Sequence, residues 1–165
     1  MSSLRRCTRR ENVCGVMDWR ANLVTDDDGL RTILREARTI AVLGAKAAAH
    51  EPAHDVPAYL GSQGYRMRSV NPKLAAQQIH GARAVATLAE LPEPADVIEI
   101  FRRPEHLPAH AQEILALPWR PRAVWFQLGI RNDATAELLA RAGMRVVQDR
   151  CMMPEHRRLL RADTE

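Results

Sequence analysis

Short apolar runs alternate along the chain with longer stretches in which apolar residues recur every three or four positions. Five of the runs stop at Gly, Pro or Asn: Thr39–Leu43 before Gly44, Arg66–Val70 before Asn71-Pro72, 96–101 before Arg102-Arg103-Pro104, 123–128 before Gly129, and 144–147 near Asp149. Runs rich in Val and Ile with such stops predict strands. Between them, 54–63 sets Val56, Tyr59 and Leu60 on one face and ends at Gly64, a natural C-terminal cap. The stretch 105–117 follows Pro104 and turns Leu107, Ala111, Ile114 and Leu115 inward. Asn132 or Asp133 caps a helix that runs to Arg141, buries Leu138 and Leu139 and closes at Gly143. A leading helix over 28–37 precedes the first strand. The stretch 74–94 reads as mostly irregular, with a short helical turn near 87–91, and Glu155-His156-Arg157-Arg158 reads as a charged C-terminal helix.

Strands alternating with helices predict an α/β fold: a Rossmann-like doubly wound sheet of about five parallel strands with helices on both faces. Right-handed crossovers bring every strand's C-terminal end to one edge, and ligands of such sheets bind outside it. The residues that matter for function are therefore expected at 44–46, 71–73, 101–103, 127–130 and 149–151.

Composition changes the picture in two ways. With 165 residues, 46% of them apolar and 27% charged, the chain can fill the core of one domain but not of two, and global disorder is excluded. No apolar run approaches the ~20 residues of a membrane span, so no membrane partner is expected. The net charge of +4 invites a nucleic-acid reading. Arg5, Arg6, Arg9 and Arg10 against Glu11, however, put +3 in the first 16 residues and leave +1 for the rest. Without a basic stripe and interleaved aromatics, nucleic acid is not an expected partner.

The expected organisation is a basic tail over 1–27, a domain over 28–160 and a short tail over 161–165. The arginine pairs resemble the start of an export signal, but 11–18 has no apolar segment to follow them. The tail is thus read as a disordered N-terminus or an extension upstream of a start at Met17. Three cysteines, Cys7, Cys14 and Cys151, make a poor disulfide framework and suit a reducing cytoplasm. They match no metal-binding spacing.

The first loop, Gly44-Ala45-Lys46-Ala47-Ala48-Ala49, limits the ligand. A glycine directly after the first strand lets backbone approach a pyrophosphate at the next helix. The dinucleotide fingerprint would need glycines at 46 and 49, where Lys and Ala stand, and no Gly-Lys-Ser/Thr run is present. NAD enzymes place an acid at the end of the second strand, whereas here the chain reads Val70-Asn71-Pro72-Lys73. An Asn and a cation suit a phosphorylated ribose, as in NADP or coenzyme A.

Five segments then occur in a recognisable order: 40–45, Gly64-Tyr65 with Val70-Asn71-Pro72, Phe101-Arg102-Arg103-Pro104, 125–132, and Asp149-Arg150-Cys151. In this the chain resembles the small stand-alone CoA-binding proteins, which are similar to the nucleotide-binding domain of the succinyl-CoA synthetase α chain. The resemblance covers about 28–160. It implies that backbone around Gly44, Ala45 and Lys46 cradles the pyrophosphate of coenzyme A. It implies further that Asn71, Pro72 and Lys73 flank the adenosine and its 3′-phosphate, and that Phe101, Arg102 and Arg103 line the pantetheine groove. Gln127, Gly129 and Ile130 would lie farther along, towards the thiol. Lys46 departs from the pattern, since a small hydroxyl residue is more usual there.

No catalytic centre is expected. None of Ser2, Ser3, Ser62 and Ser69 sits in a nucleophile elbow, and the chain has no room for the phosphohistidine domain of the synthetases. His106 and His110 stand four apart but flank Pro108 without an H-E-x-x-H, and no metal is expected. His50 and His54 follow the first strand, as phosphate contacts or as helix-start residues. Cys151 is the one nucleophile at the sheet edge: a redox thiol if Arg150 favours its thiolate, otherwise an inert cysteine. Trp125, inside a strand, is assigned to the core. The expected function is therefore binding of coenzyme A or an acyl-CoA, with an unknown protein partner. The alternatives are an NADP-dependent oxidoreductase and a regulatory module for which CoA is a signal.

Overall fold

The computed structural model describes residues 18–161. Cys7, Cys14 and the arginine pairs of the tail lie outside the described residues. Among the described residues seven strands form: β1 (Thr39–Leu43), β2 (Arg66–Val70), β3 (Gln78–Ile79), β4 (Ala82–Arg83), β5 (Val97–Ile100), β6 (Ala123–Phe126) and β7 (Arg145–Val147). Five helices accompany them: α1 (Asp27–Glu36), α2 (Pro52–Ser62), α3 (Leu107–Ala116), α4 (Asp133–Arg141) and α5 (Met152–Leu160). The main sheet has the order β2-β1-β5-β6-β7 and every pairing in it is parallel. Numbered within that sheet alone, the order is 2-1-3-4-5, with its reversal between β1 and β5.

Burial explains the strand sequences. β1, β5 and β6 are buried at every position, as a parallel strand covered on both faces must be. Leu43, Ile98, Ile100, Val124 and Phe126 pack against Leu107, Ala111 and Ile114 of α3 and Leu139 of α4. Ile40, Val42, Val97 and Trp125 pack on the other face against Leu30 and Leu34 of α1, Leu60 of α2 and Leu159 of α5. Four of the helices start within two residues of where the sequence predicts; α5 starts at Met152, three residues before the charged stretch expected at Glu155. Asn132 caps α4, its side-chain oxygen accepting from the Thr135 N–H at 3.0 Å. Before α3 the chain makes a 3-10 turn over Pro104–His106, so the helix itself begins at Leu107, with Pro108 in the first turn, where no intrahelical N–H is needed.

Two stretches differ from expectation. Residues 74–94 hold an antiparallel ribbon of β3 and β4, whose two-residue strands are too short to show a period. The chain then bridges Val85 to Val70, with the Asn71 N–H donating to Val85 O at 2.9 Å, which turns Ala86 and Thr87 towards the sheet edge. Residues 18–27, expected in the tail, pack on the far side of the sheet. Leu23 pairs with Val146, the Val24 N–H donates to Val146 O at 2.9 Å, and Asn22 Nδ2 donates to Ala140 O at 2.9 Å. This segment covers the open edge of β7. Among the described residues no helix is long and apolar enough to cross a membrane.

Candidate functional site

The C-terminal ends of β1, β2, β5 and β6 open into two adjoining cavities. The first, of about 370 Å³, is lined by Gly44, Asn71, Pro72 and Lys73, with Ala86, Thr87, His110 and Glu113 as its far wall. The second, of about 520 Å³, is lined by Lys46, Phe101, Arg103, Gln127, Gly129, Ile130 and Cys151, with Pro52 and Ala53 at the start of α2. Arg102 belongs to both. Eleven of the twelve binding residues expected from sequence thus line these two spaces. Ala45 is the exception: it is buried and takes part through its carbonyl, which accepts from Asn71 Nδ2 at 2.8 Å.

Asn71 is committed to the scaffold on both sides, since its Oδ1 also accepts from the Lys73 N–H at 2.9 Å. It ties the end of β2 to the loop after β1 and presents Lys73 on a short turn over Pro72–Leu74. Lys46, Lys73, Arg102 and Arg103 are all exposed, and none has an acidic partner among the described residues. Many other arginines are paired: Arg68 with Glu93, Arg122 with Glu36, Arg131 with Asp133, Arg141 with Glu137 and Arg158 with Asp27. Four cations without counter-ions, set around two connected cavities, attract a polyanion.

Two carboxylates face the same spaces. Glu51 stands on the wall of the larger cavity. Glu113 accepts from His110 Nδ1 at 3.1 Å and from the Leu88 N–H at 3.1 Å, and these bonds, the histidine's foremost, hold its carboxyl below the usual range. His110 is therefore a cavity wall braced by Glu113. Among the described residues no three of His, Cys, Asp and Glu gather into a metal-holding group. His54 Nδ1 bonds Asp55 at 2.8 Å and its ring lies 4.9 Å from that of His80, while the His50 N–H donates to Asp55 at 3.1 Å. These histidines organise the start of α2, and neither lines the two cavities.

Beneath the larger cavity lies a group the sequence reading passed over. Glu99, in the middle of β5, has no exposed surface; its Oε1 accepts from Gln127 Nε2, and its Oε2 has no partner. Burial pushes its carboxyl up to about 8, outweighing the Gln127 hydrogen bond, so it is neutral at pH 7. A charged residue in an apolar run was the available signal.

Cys151 lies beside this pair as the residue before α5. Of the two readings open for it, its environment runs against the activated thiol. Arg150 bonds Glu155 at 3.4 Å and Thr25 O at 3.1 Å, and burial pushes the Cys151 thiol up, with the Glu99 and Glu155 charges adding to the effect. Trp125 is core, its indole N–H donating to Arg150 O at 2.8 Å.

Comparison with known proteins finds similar sequences and folds. Residues 38–157 match the CoA binding domain family. The Bacillus subtilis protein YneT is 31% identical over 127 residues, covering 77% of this chain and 91% of its own. A solved structure from Thermus thermophilus superposes with a TM-score of 0.78 at 48% identity, over 82% of this chain and all of the other. A Pyrococcus horikoshii protein gives a TM-score of 0.71 at 28% identity, over 82% of this chain and 93% of its own.

Proposed function

This chain belongs to the CoA-binding domain family, and from that membership we propose that it holds coenzyme A, or an acyl-CoA, along the C-terminal edge of its sheet. The observation that carries the reading is the set of four unpaired cations, Lys46, Lys73, Arg102 and Arg103, around two cavities that share Arg102. Coenzyme A carries a 3′-phosphate and a pyrophosphate at one end and a long, weakly polar arm at the other. The adenosine and 3′-phosphate occupy the smaller cavity beside Lys73, and the pyrophosphate crosses the Gly44 loop between Arg102 and Lys46. The pantetheine arm follows Phe101, Gln127, Gly129 and Ile130, with its sulfur towards Cys151.

In this reading the protein binds without transforming. Glu99 is a carboxylic acid sealed under the groove and Cys151 a thiol kept protonated, and neither is placed as an exposed base or nucleophile. What it supplies is a preformed cationic edge for the phosphates and an apolar path for the arm.

Thermal unfolding with CoA, acetyl-CoA, NADP and NAD tests this. A ligand at a hundred times its Kd adds about 2.7 kcal/mol, which is a rise of roughly 5–10 °C for a domain of this size. CoA or acetyl-CoA should produce it. A response to NADP with none to CoA would favour a nicotinamide enzyme instead.

A further inference from the structure

A third cavity, of about 690 Å³, opens between β7, α4 and the start of α5. It shares two wall residues with the larger of the two cavities described above, Leu128 and Cys151. These are the residues that stand where the pantetheine sulfur would arrive. Leu128 is 70% exposed, the most open large apolar side chain among the described residues. A leucine left in water at the junction of two cavities is an apolar lip between them. Building on the CoA reading, we infer that this third cavity receives the acyl group of a CoA thioester, and that the group is a neutral aliphatic chain.

The wall defines the class of acyl group. Its apolar part comes from Trp19, Leu23, Val24, Val146 and Pro154. Its charged part holds four carboxylates, Asp133, Glu137, Asp149 and Glu155, against two guanidiniums, Arg131 and Arg150. Both guanidiniums are engaged: Arg131 pairs with Asp133 at 3.0 Å, and Arg150 with Glu155 at 3.4 Å. An acyl chain ending in a carboxylate would meet a net negative wall with no free cation to receive it. An alkyl chain gains instead from the apolar part, by about fourfold in affinity for each methylene fully buried. The segment that closes the edge of β7 thereby acquires a use, because Trp19, Leu23 and Val24 form one side of the chamber.

Calorimetric titration of the full chain with CoA, acetyl-CoA, hexanoyl-CoA and succinyl-CoA tests the inference. Hexanoyl-CoA should bind at least about tenfold tighter than acetyl-CoA, and succinyl-CoA no tighter than acetyl-CoA. Thr25 is exposed, lines the third cavity and stays clear of the CoA groove, so Thr25→Trp puts an indole into the chamber alone. That variant should bind CoA as before and lose the hexanoyl advantage. Equal affinity for hexanoyl- and acetyl-CoA, preference for succinyl-CoA, or a hexanoyl advantage that survives Thr25→Trp would each overturn the chamber while leaving CoA binding in place. Absence of binding by CoA and by every thioester would overturn the CoA reading, and this inference with it.

Discussion

A β-carbon added to Gly44 would stand 2.7 Å from the carbonyl oxygen of Phe101, and 2.9 Å from the Cδ of Arg102. Gly44 also has φ +87°, a conformation that side chains other than glycine's rarely adopt. The loop after β5 thus lies directly on the loop after β1, at the point where the strand order reverses. The Gly44 N–H donates to Val70 O at 3.0 Å and the Phe101 N–H to Leu43 O at 2.9 Å, which fixes all three strand ends. Gly44→Ala is expected to cost roughly 2–4 kcal/mol through backbone strain and a contact with main chain that cannot swing away. It should also weaken CoA by more than tenfold, because Arg102 would be displaced. Urea unfolding and titration check the two effects, and an unchanged midpoint would refute the packing argument.

Lys73 has a more selective prediction. If it meets the 3′-phosphate, Lys73→Ala should weaken CoA by about 1–2 kcal/mol, or roughly five- to thirtyfold. The same substitution should do almost nothing to dephospho-CoA, which lacks that phosphate. The non-additivity of the two changes is the measurement, since removal of either partner already abolishes the contact. Arg102→Ala, at the shared wall, should weaken both ligands alike. Raising the salt should weaken wild type more than Lys73→Ala. Equal losses on both ligands for Lys73→Ala would move the 3′-phosphate elsewhere.

The strand ends were legible because each is punctuated: Gly44, Asn71-Pro72, Arg103-Pro104 and Gly129 interrupt runs that are otherwise continuous. Helix faces were legible from spacing on α3, where Leu107, Ala111 and Ile114 are buried as expected, but on α4 Leu138, expected inward, is exposed and the buried face is Thr135, Ala136, Leu139 and Ala140. What stayed hidden depended on contacts between distant segments. The reason for a glycine at 44 lies 57 positions on, at Phe101. The ribbon of β3 and β4 has no period to read, and residues 18–27 offer as large apolar residues only Trp19, Leu23 and Val24, whose partners are on β7 and α4. Glu99 was visible as a charge in an apolar run, but its burial and its bond to Gln127 come only with the pairing of β5 and β6. Between a redox thiol and an inert cysteine at 151 the sequence could not choose, because adjacency to Arg150 does not say where the guanidinium turns.

Cys151 should react slowly. Burial keeps its thiol above the ordinary range, so alkylation by iodoacetamide at pH 7.5 should proceed several-fold slower than for glutathione. Desulfo-CoA, which brings no thiol of its own, should slow it by at least about fivefold more if the arm ends beside Cys151. Peptide-level mass spectrometry separates Cys151 from Cys7 and Cys14. Exchange with CoA disulfide needs the same scarce thiolate, so any mixed disulfide should form faster at pH 9 than at pH 7 and vanish in Cys151→Ser. Alkylation indifferent to desulfo-CoA would remove Cys151 from the groove.

Glu99 gives the chain a pH dependence whose sign can be worked out. In the unfolded chain its carboxyl ionises near 4.5, and in the folded protein near 8. Below the first value both states are protonated and the group contributes no slope. Between the two values unfolding releases a proton, so stability falls as pH rises, and above about 8 the loss is complete and constant. Its full size is roughly 3–5 kcal/mol. Glu99→Gln keeps an acceptor for Gln127 Nε2 and replaces the titrating oxygen by an amide that never charges. The variant should match wild type near pH 5 and exceed it in stability by roughly 2–4 kcal/mol at pH 9, read from urea unfolding across that range. Glu99→Ala should be less stable at every pH below 8, because it leaves both a void and an unpaired Gln127 amide. Parallel pH profiles for wild type and Glu99→Gln would show that the buried carboxyl ionises freely, and the neutral floor assigned to the CoA groove would have to be abandoned.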